Sequence, residues 1–291
     1  MQKIKEVSVA NQAITKSLYV SVPIERTTEI EKKLKRIFDL EMRRPNSILL
    51  GYKPQIITKI AAFITGKISR SASIGIAGET ASGKSTITLD IIETIKSFAT
   101  EFEIDNVITR VNTDDYYYDR SEMVKKAGSF SEFAKNYDLD IPQALELELM
   151  CAHIKSLLAG NSVYLPKYDM SGTAIRIDNY TLAKPSKIII SEGLFTLTDK
   201  IKSAFDFKIY VDIDSKIQKD RFFHRANERG LGDSAHSIYE NANKKADIYI
   251  RPCKNEADIV LSGEANRAKY KEFLNKLISI VHDENFENKL L

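Results

Sequence analysis

The run Ser73-Ile74-Gly75-Ile76-Ala77-Gly78-Glu79-Thr80-Ala81-Ser82-Gly83-Lys84-Ser85-Thr86 joins a short apolar segment to a polar loop bracketed by glycines, and then to an apolar-periodic stretch reaching Ile95. Gly78 to Ser85 fits the spacing G-x-x-x-x-G-K-[ST], whose glycines let the backbone wrap until its N–H groups converge on phosphate oxygens. A helix beginning near Ser85 adds its positive N-terminal end to the same point. In such a loop Lys84 reaches the β- and γ-phosphates of a nucleoside triphosphate, and the Ser85 hydroxyl ligates Mg²⁺. A chance match in a chain of this length has a probability on the order of one per cent. The strand before the loop and the helix after it lower that further.

Outward from this loop, short β-rich runs alternate with long helical ones. The runs are Ile74 to Ala77, Val107 to Val111, Lys187 to Ser191, Phe207 to Asp212 and Ala257 to Leu261. Between them lie helical patterns over Ser85 to Phe98, Pro142 to Leu158, Ile217 to Asn227 and Glu264 to Val281. Alternation of this kind predicts an α/β fold, with a mostly parallel sheet covered on both faces by helices and ligands at the carboxyl ends of its strands. Residues 71–291 form this P-loop unit. Residues 1–70 read as a largely helical N-terminal extension. There Thr28-Glu29-Ile30-Glu31 has the form of a capping box, followed by Ile30, Leu34, Ile37, Phe38 and Met42 on one face. A second helix begins near Pro54 and carries Ile57, Ile60, Phe63 and Ile64.

Composition narrows the function classes. Lys and Arg number 43 against 40 Asp and Glu, and the charges are interleaved, so nucleic acid is not the expected partner. Cys151 and Cys253 are too few and too far apart for a disulfide framework or a Cys-x-x-Cys metal site. Met1 to Val20 lacks the continuous apolar segment of a signal peptide, and no stretch is long and apolar enough to cross a bilayer. The expectation is a soluble, cytoplasmic protein.

The later strand ends must say what is done with the triphosphate. Asn112-Thr113-Asp114-Asp115-Tyr116-Tyr117-Tyr118-Asp119 follows the second run. A carboxylate there can take the proton of an attacking hydroxyl, although an acidic turn is by itself the commoner explanation. Glu192 closes the apolar run Ile188-Ile189-Ile190, where a Walker B carboxylate belongs. Arg221 and Arg225, at i and i+4, put two guanidinium groups on one helical face, suited equally to clamping phosphate and to facing solvent.

These segments, in this order over roughly residues 72–264, resemble the uridine kinase branch of the uridine kinase, phosphoribulokinase and pantothenate kinase family. Gly78 to Thr86 is similar to its G-x-[ST]-A-S-G-K-[ST] loop, and Asp114-Asp115-Tyr116-Tyr117 to its D-[ST]-[FY]-Y. Asn136-Tyr137-Asp138 resembles N-[FY]-D, and Pro166-Lys167-Tyr168-Asp169 with Arg176 resembles P-x-Y-D-F and its later Arg. Ser191-Glu192-Gly193-Leu194 resembles E-G-[IL], Arg221 to Gly230 resembles the arginine-rich lid ending in E-R-G, and Glu256 to Val260 resembles Y-A-D-[IV]-[IV].

The resemblance implies a kinase that moves the γ-phosphoryl of ATP or another NTP, with Mg²⁺, to a hydroxyl of a small molecule, a nucleoside above all. Asp114 becomes the base, with Lys84, Arg221 and Arg225 acting on the transferring phosphate. Gly78, Glu79, Thr80, Ala81, Ser82, Gly83, Lys84, Ser85, Thr86 and Arg229 hold the nucleotide, while Ser85 and Glu192 hold the metal. Asp138, Tyr168 and Arg176 seat the acceptor. No nucleic-acid or membrane partner is expected, and self-association into a homo-oligomer is compatible with the reading. The alternatives are a non-nucleoside acceptor such as pantothenate, glycerate or a sugar phosphate, or a nucleotide-binding regulator without catalysis. The sequence departs from the family at the base-reading end. No His stands within Met170 to Ile175, Leu231 follows E-R-G where the family has Arg, and Leu139-Asp140-Ile141 separate Asp138 from Pro142.

Overall fold

The computed structural model describes residues 24–66, 71–101, 106–170 and 173–289. The expectation for Met1 to Val20 lies outside these residues. The first described element is α1 (Ile24–Met42), followed by β1 (Leu49–Tyr52) and α2 (Gln55–Ile64). Thr28 is therefore one turn inside α1 and not its cap, because Ile24 to Thr27 already have helical geometry. Pro54 takes the N-cap position of α2.

The sheet is built from β1, β2 (Ala72–Gly78), β3 (Ile108–Asn112), β6 (Ile188–Glu192), β7 (Phe207–Asp212) and β8 (Ile259–Ser262), with β4 (Val163–Tyr168) and β5 (Arg176–Ala183) forming a separate antiparallel hairpin. Its order is β1-β8-β7-β2-β6-β3, parallel throughout except for β1 against β8. The strands are apolar on both faces because both faces are covered. Ile76, Ile190, Ile209 and Val211 join α1, α2, α3 (Lys84–Glu101) and the last helix α9 (Arg267–Lys289) in one core. Their chain neighbours Ala77, Ile189 and Tyr210 point the other way, into a core shared with α6 (Leu147–Leu158) and the hairpin. Burying one such side chain contributes roughly 1.5–3 kcal/mol.

Residues 24–66 thus pack on the same sheet that carries the phosphate loop, and add its edge strand. Lys59 on α2 donates to both carboxylate oxygens of Asp258, at 3.1 and 3.2 Å, while Asp258 also accepts from the Lys208 backbone N–H at 3.0 Å. The expected helix from Pro142 to Leu158 is interrupted at Leu145 and Glu146. Leu145 bridges to Tyr117, and the Glu146 N–H donates to the Tyr116 carbonyl at 2.8 Å, so these residues are spent on pairing before α6 begins. Four further α-helices lie among the described residues: α4 (Ser121–Ala127), α5 (Phe130–Asn136), α7 (Ser215–Glu228) and α8 (Ser234–Lys245). A π-turn at Ala246–Ile250 follows α8. The N-terminus of α7 is set by Asp214, whose carboxylate accepts from the N–H groups of Lys216 and Ile217. Both cysteines are buried and free. No helix among the described residues is long and apolar enough to cross a membrane.

Candidate active site

The carboxyl ends of β2, β6 and β3 lie side by side, with Ile76 opposite Glu192 and Glu192 opposite Asn112. This register brings together groups distant in sequence. The Ser85 hydroxyl donates to Glu192 Oε2 at 3.0 Å. The other oxygen of Glu192 accepts from Arg110 Nη2 at 2.8 Å, a residue of β3 that sequence reasoning missed. An Arg within the β-rich run Val107 to Val111 was the available signal. Thr113 fastens the β3 end to the β6 end by donating to the Glu192 carbonyl at 2.7 Å. Gly193 is required there, because a Cβ would come within 2.5 Å of the Thr113 side chain.

Lys84 Nζ donates to the Glu79 carbonyl at 3.3 Å. Burial pushes its ammonium below the ordinary value, and the neighbouring carboxylates of Glu192 and Asp114 oppose that shift. Asp114 is displaced the other way. Burial raises its carboxyl above 3.8, against the pull of Lys84, and Glu192 and Asp115 add to the rise. Asp115 is occupied elsewhere, accepting from the Tyr168 N–H at 3.3 Å and pairing with Lys167 at 3.2 Å. A buried carboxyl beside a lysine and a second carboxylate has the surroundings that suit a group for proton transfer.

The phosphate loop itself is held from several sides. Gly83 has φ +92°, a conformation natural to glycine. Gly263, at the end of β8, presses so closely on the loop that a Cβ there would collide with the Ser82 carbonyl. Arg221 Nη1 donates to the Gly263 carbonyl at 2.8 Å, and Arg225 Nη2 to Thr80 Oγ1 at 2.6 Å. Burial, and then Arg229, lower the Arg225 guanidinium, which remains a cation. Ser82 Oγ is buried with no partner among the described residues. The carboxylate of Glu79 is paired with a residue outside the loop. It accepts from Arg251 Nε at 2.9 Å and Nη2 at 2.8 Å. Ser85 and Glu192 are hard oxygen donors 3.0 Å apart, which suits Mg²⁺ and not a softer ion.

A cleft runs from Glu79 and Thr80 of the loop, past Arg225, Arg229 and Leu231, to Ala242, Ala246 and Ile250, with Leu194 and Asp140 on the remaining side. Asp140 is a second residue that sequence reasoning missed. Burial, followed by Asp138, pushes its carboxyl above 3.8. The three residues expected to seat the acceptor do not line this cleft. Asp138 pairs with Lys245 at 2.6 Å, and Tyr168 is buried with its ring 5.2 Å from that of Tyr117. Burial pushes the Tyr168 hydroxyl up to about 12. Arg176 pairs with Glu146, leaving its Nε and Nη2 buried without partners among the described residues.

Residues 73–268 match the Phosphoribulokinase / Uridine kinase family. The chain is 36% identical to a uridine kinase of Clostridium perfringens over 222 residues, covering 72% of this chain and 99% of that one. It is 32% identical to a uridine kinase of Halobacterium salinarum, covering 67% and 82%. Among solved structures, phosphoribulokinase from Rhodobacter spheroides superposes with a TM-score of 0.51 at 14% identity, covering 66% of this chain and 70% of that one. D-glycerate 3-kinase from Cryptococcus neoformans gives 0.50 at 11%, covering 73% and 96%; both likenesses bear on the fold alone. The sheet order, the phosphate loop and these relatives make the chain a phosphotransferase acting on a hydroxyl group, a member of the phosphoribulokinase and uridine kinase family.

Proposed function

We propose that this kinase phosphorylates the 5′-hydroxyl of a nucleoside, in the manner of its uridine kinase relatives, with Mg-ATP as donor. The observation that carries the proposal is the meeting of Asp114, Lys84 and Glu192 at three adjacent strand ends, beside a cleft walled by the lid. In the reaction the acceptor hydroxyl oxygen forms a bond to the γ-phosphorus while the bond to the β–γ bridging oxygen breaks. ADP leaves with that electron pair, and the hydroxyl proton passes to Asp114. Its raised pKa, caused first by burial, makes Asp114 a better proton acceptor. Lys84, Arg221 and Arg225 offset charge on the transferring group. Ser85 and Glu192 would hold Mg²⁺, which supplies neutralisation of the β- and γ-oxygens when bound.

The acceptor enters the cleft between the phosphate loop and α8, with Asp140 at its polar end and Leu194, Phe222, Leu231 and Ile238 along its apolar side. The test is ADP release with ATP, Mg²⁺ and a panel of uridine, cytidine, a deoxynucleoside, pantothenate, glycerate and a sugar phosphate. Turnover with ribonucleosides is expected. Turnover confined to a non-nucleoside would overturn the nucleoside assignment while leaving the kinase chemistry in place.

A further inference from the structure

A phosphate loop that carries a carboxylate at its first variable position poses an electrostatic problem, since the ligand is a polyanion. Glu79 is that carboxylate, and it is 8% exposed, so water does little to screen it. Its backbone carbonyl is also the acceptor for Lys84 Nζ and for the Ser82 N–H. Whatever moves Glu79 therefore moves the lysine's anchor. The side chain is held by a fork-to-fork pair with Arg251, Nε to Oε1 and Nη2 to Oε2. Arg251 stands at the junction between the π-turn and the 3₁₀ turn leading to β8. Its remaining donors reach Asn243 Oδ1 at 2.5 Å and the exposed carboxylate of Asp247. The pair with Glu79, and after it Asp247, raise the Arg251 guanidinium above its ordinary value, so it is a permanent cation.

We infer that Arg251 is a positioning residue for triphosphate binding: it neutralises Glu79 and turns that carboxylate out of the phosphate loop. Arg251 is not among the residues that line the cleft, and it acts through Glu79. The inference rests on the loop being the triphosphate site, and it is independent of the acceptor's identity. Without Arg251 the buried charge of Glu79 is left beside the phosphates, and removing one partner of such a pair is far more damaging than removing both. The sign of the second substitution therefore separates this role from a structural one.

The experiment is titration of purified protein with a fluorescent, non-hydrolysable ATP analogue and Mg²⁺, without acceptor, alongside thermal melting. Arg251→Ala is expected to weaken the analogue by about tenfold or more. Adding Glu79→Gln to that background is expected to restore most of the loss. Arg251→Gln, which keeps a donor for Asn243 but no charge, is a second background expected to weaken binding and to be rescued in the same way. A double variant that binds as weakly as its Arg251 parent, in either background, would overturn the inference. Failure of the native protein to bind the analogue would instead strike at the triphosphate site itself.

Discussion

The donor half of the site and the acceptor half are built differently. On the donor side the functional groups already face one another: Ser85 meets Glu192, Lys84 reaches the Glu79 carbonyl, and Arg225 reaches Thr80. On the acceptor side each expected group is engaged by another protein group, Asp138 with Lys245, Tyr168 with Tyr117 and Arg176 with Glu146. The difference follows from how each half is made. A triphosphate cradle is largely backbone, supplied by one contiguous loop pinned between strand ends. An acceptor pocket is made of side chains from several segments, and these satisfy each other unless the acceptor takes their place.

The largest effect expected on the donor side is that of Lys84→Ala, which should reduce kcat on the order of a thousandfold, as removal of one charge-stabilising donor does. Lys84 is half-buried at the head of α3 and outside both hydrophobic cores, so melting should be little changed. Near-native turnover by the folded variant would remove the preformed donor half from the mechanism.

Asp114 and Asp115 adjoin in sequence but belong to opposite halves, and they offer the next comparison. Asp114→Asn should lose about a hundredfold or more in kcat, the size of a general-base contribution. Asp115→Asn should lose less, because Asp115 positions β4 through Tyr168 and Lys167 and does not take the proton. The pH profile carries the sign. The raised pKa of Asp114 means that kcat/KM falls as pH drops through a value above 3.8, and this acid limb should vanish in Asp114→Asn. The reverse ranking of the two variants would shift the base by one residue.

Much of this division was legible in the sequence. The parallel strands read as short β-rich runs alternating with helical ones, and the phosphate loop carries its spacing with it. The edge strand β1 did not, since four residues between Pro45 and Pro54 become a strand only by pairing with Ile259 to Leu261 at the other end of the chain. The hairpin β4–β5 was hidden by Pro166 and by a register shift between Leu165 and Lys167, which breaks the alternation a strand is recognised by. Arg110, Arg251 and Asp140 escaped for a related reason. Each matters through a contact with a distant segment, and no local spacing announces it. Asp138 was named as a candidate by its resemblance to a motif, but its pairing with Lys245 is a tertiary fact.

That pairing can be used. If Asp138 binds acceptor hydroxyls, it exchanges the Lys245 ammonium for them, and Asp138→Asn should raise the acceptor KM about tenfold, the worth of one charge-assisted hydrogen bond, with the ATP KM unchanged. A rise in the ATP KM instead would make Asp138 a strut for α8.

The smallest effect expected is the difference between uridine and cytidine. Strong discrimination needs buried polar groups that the wrong base leaves unpaired. The cleft offers few of these. Gln218 already donates to the Thr80 carbonyl at 2.9 Å and accepts from the Tyr239 hydroxyl at 3.0 Å, and Arg225 is turned to Thr80. Leu231, Ile238, Ala242, Ala246 and Ile250 supply apolar surface that contacts either pyrimidine equally. The kcat/KM values for the two nucleosides should therefore differ by less than about tenfold, within about 1.4 kcal/mol of each other. Loss of a ribose hydroxyl should cost more than the change of base. Steady-state measurements on uridine, cytidine and a deoxynucleoside decide the order. A hundredfold preference for one base would mean that Asp140 or Arg229 reads it directly, and the acceptor half would then be as specifically built as the donor half.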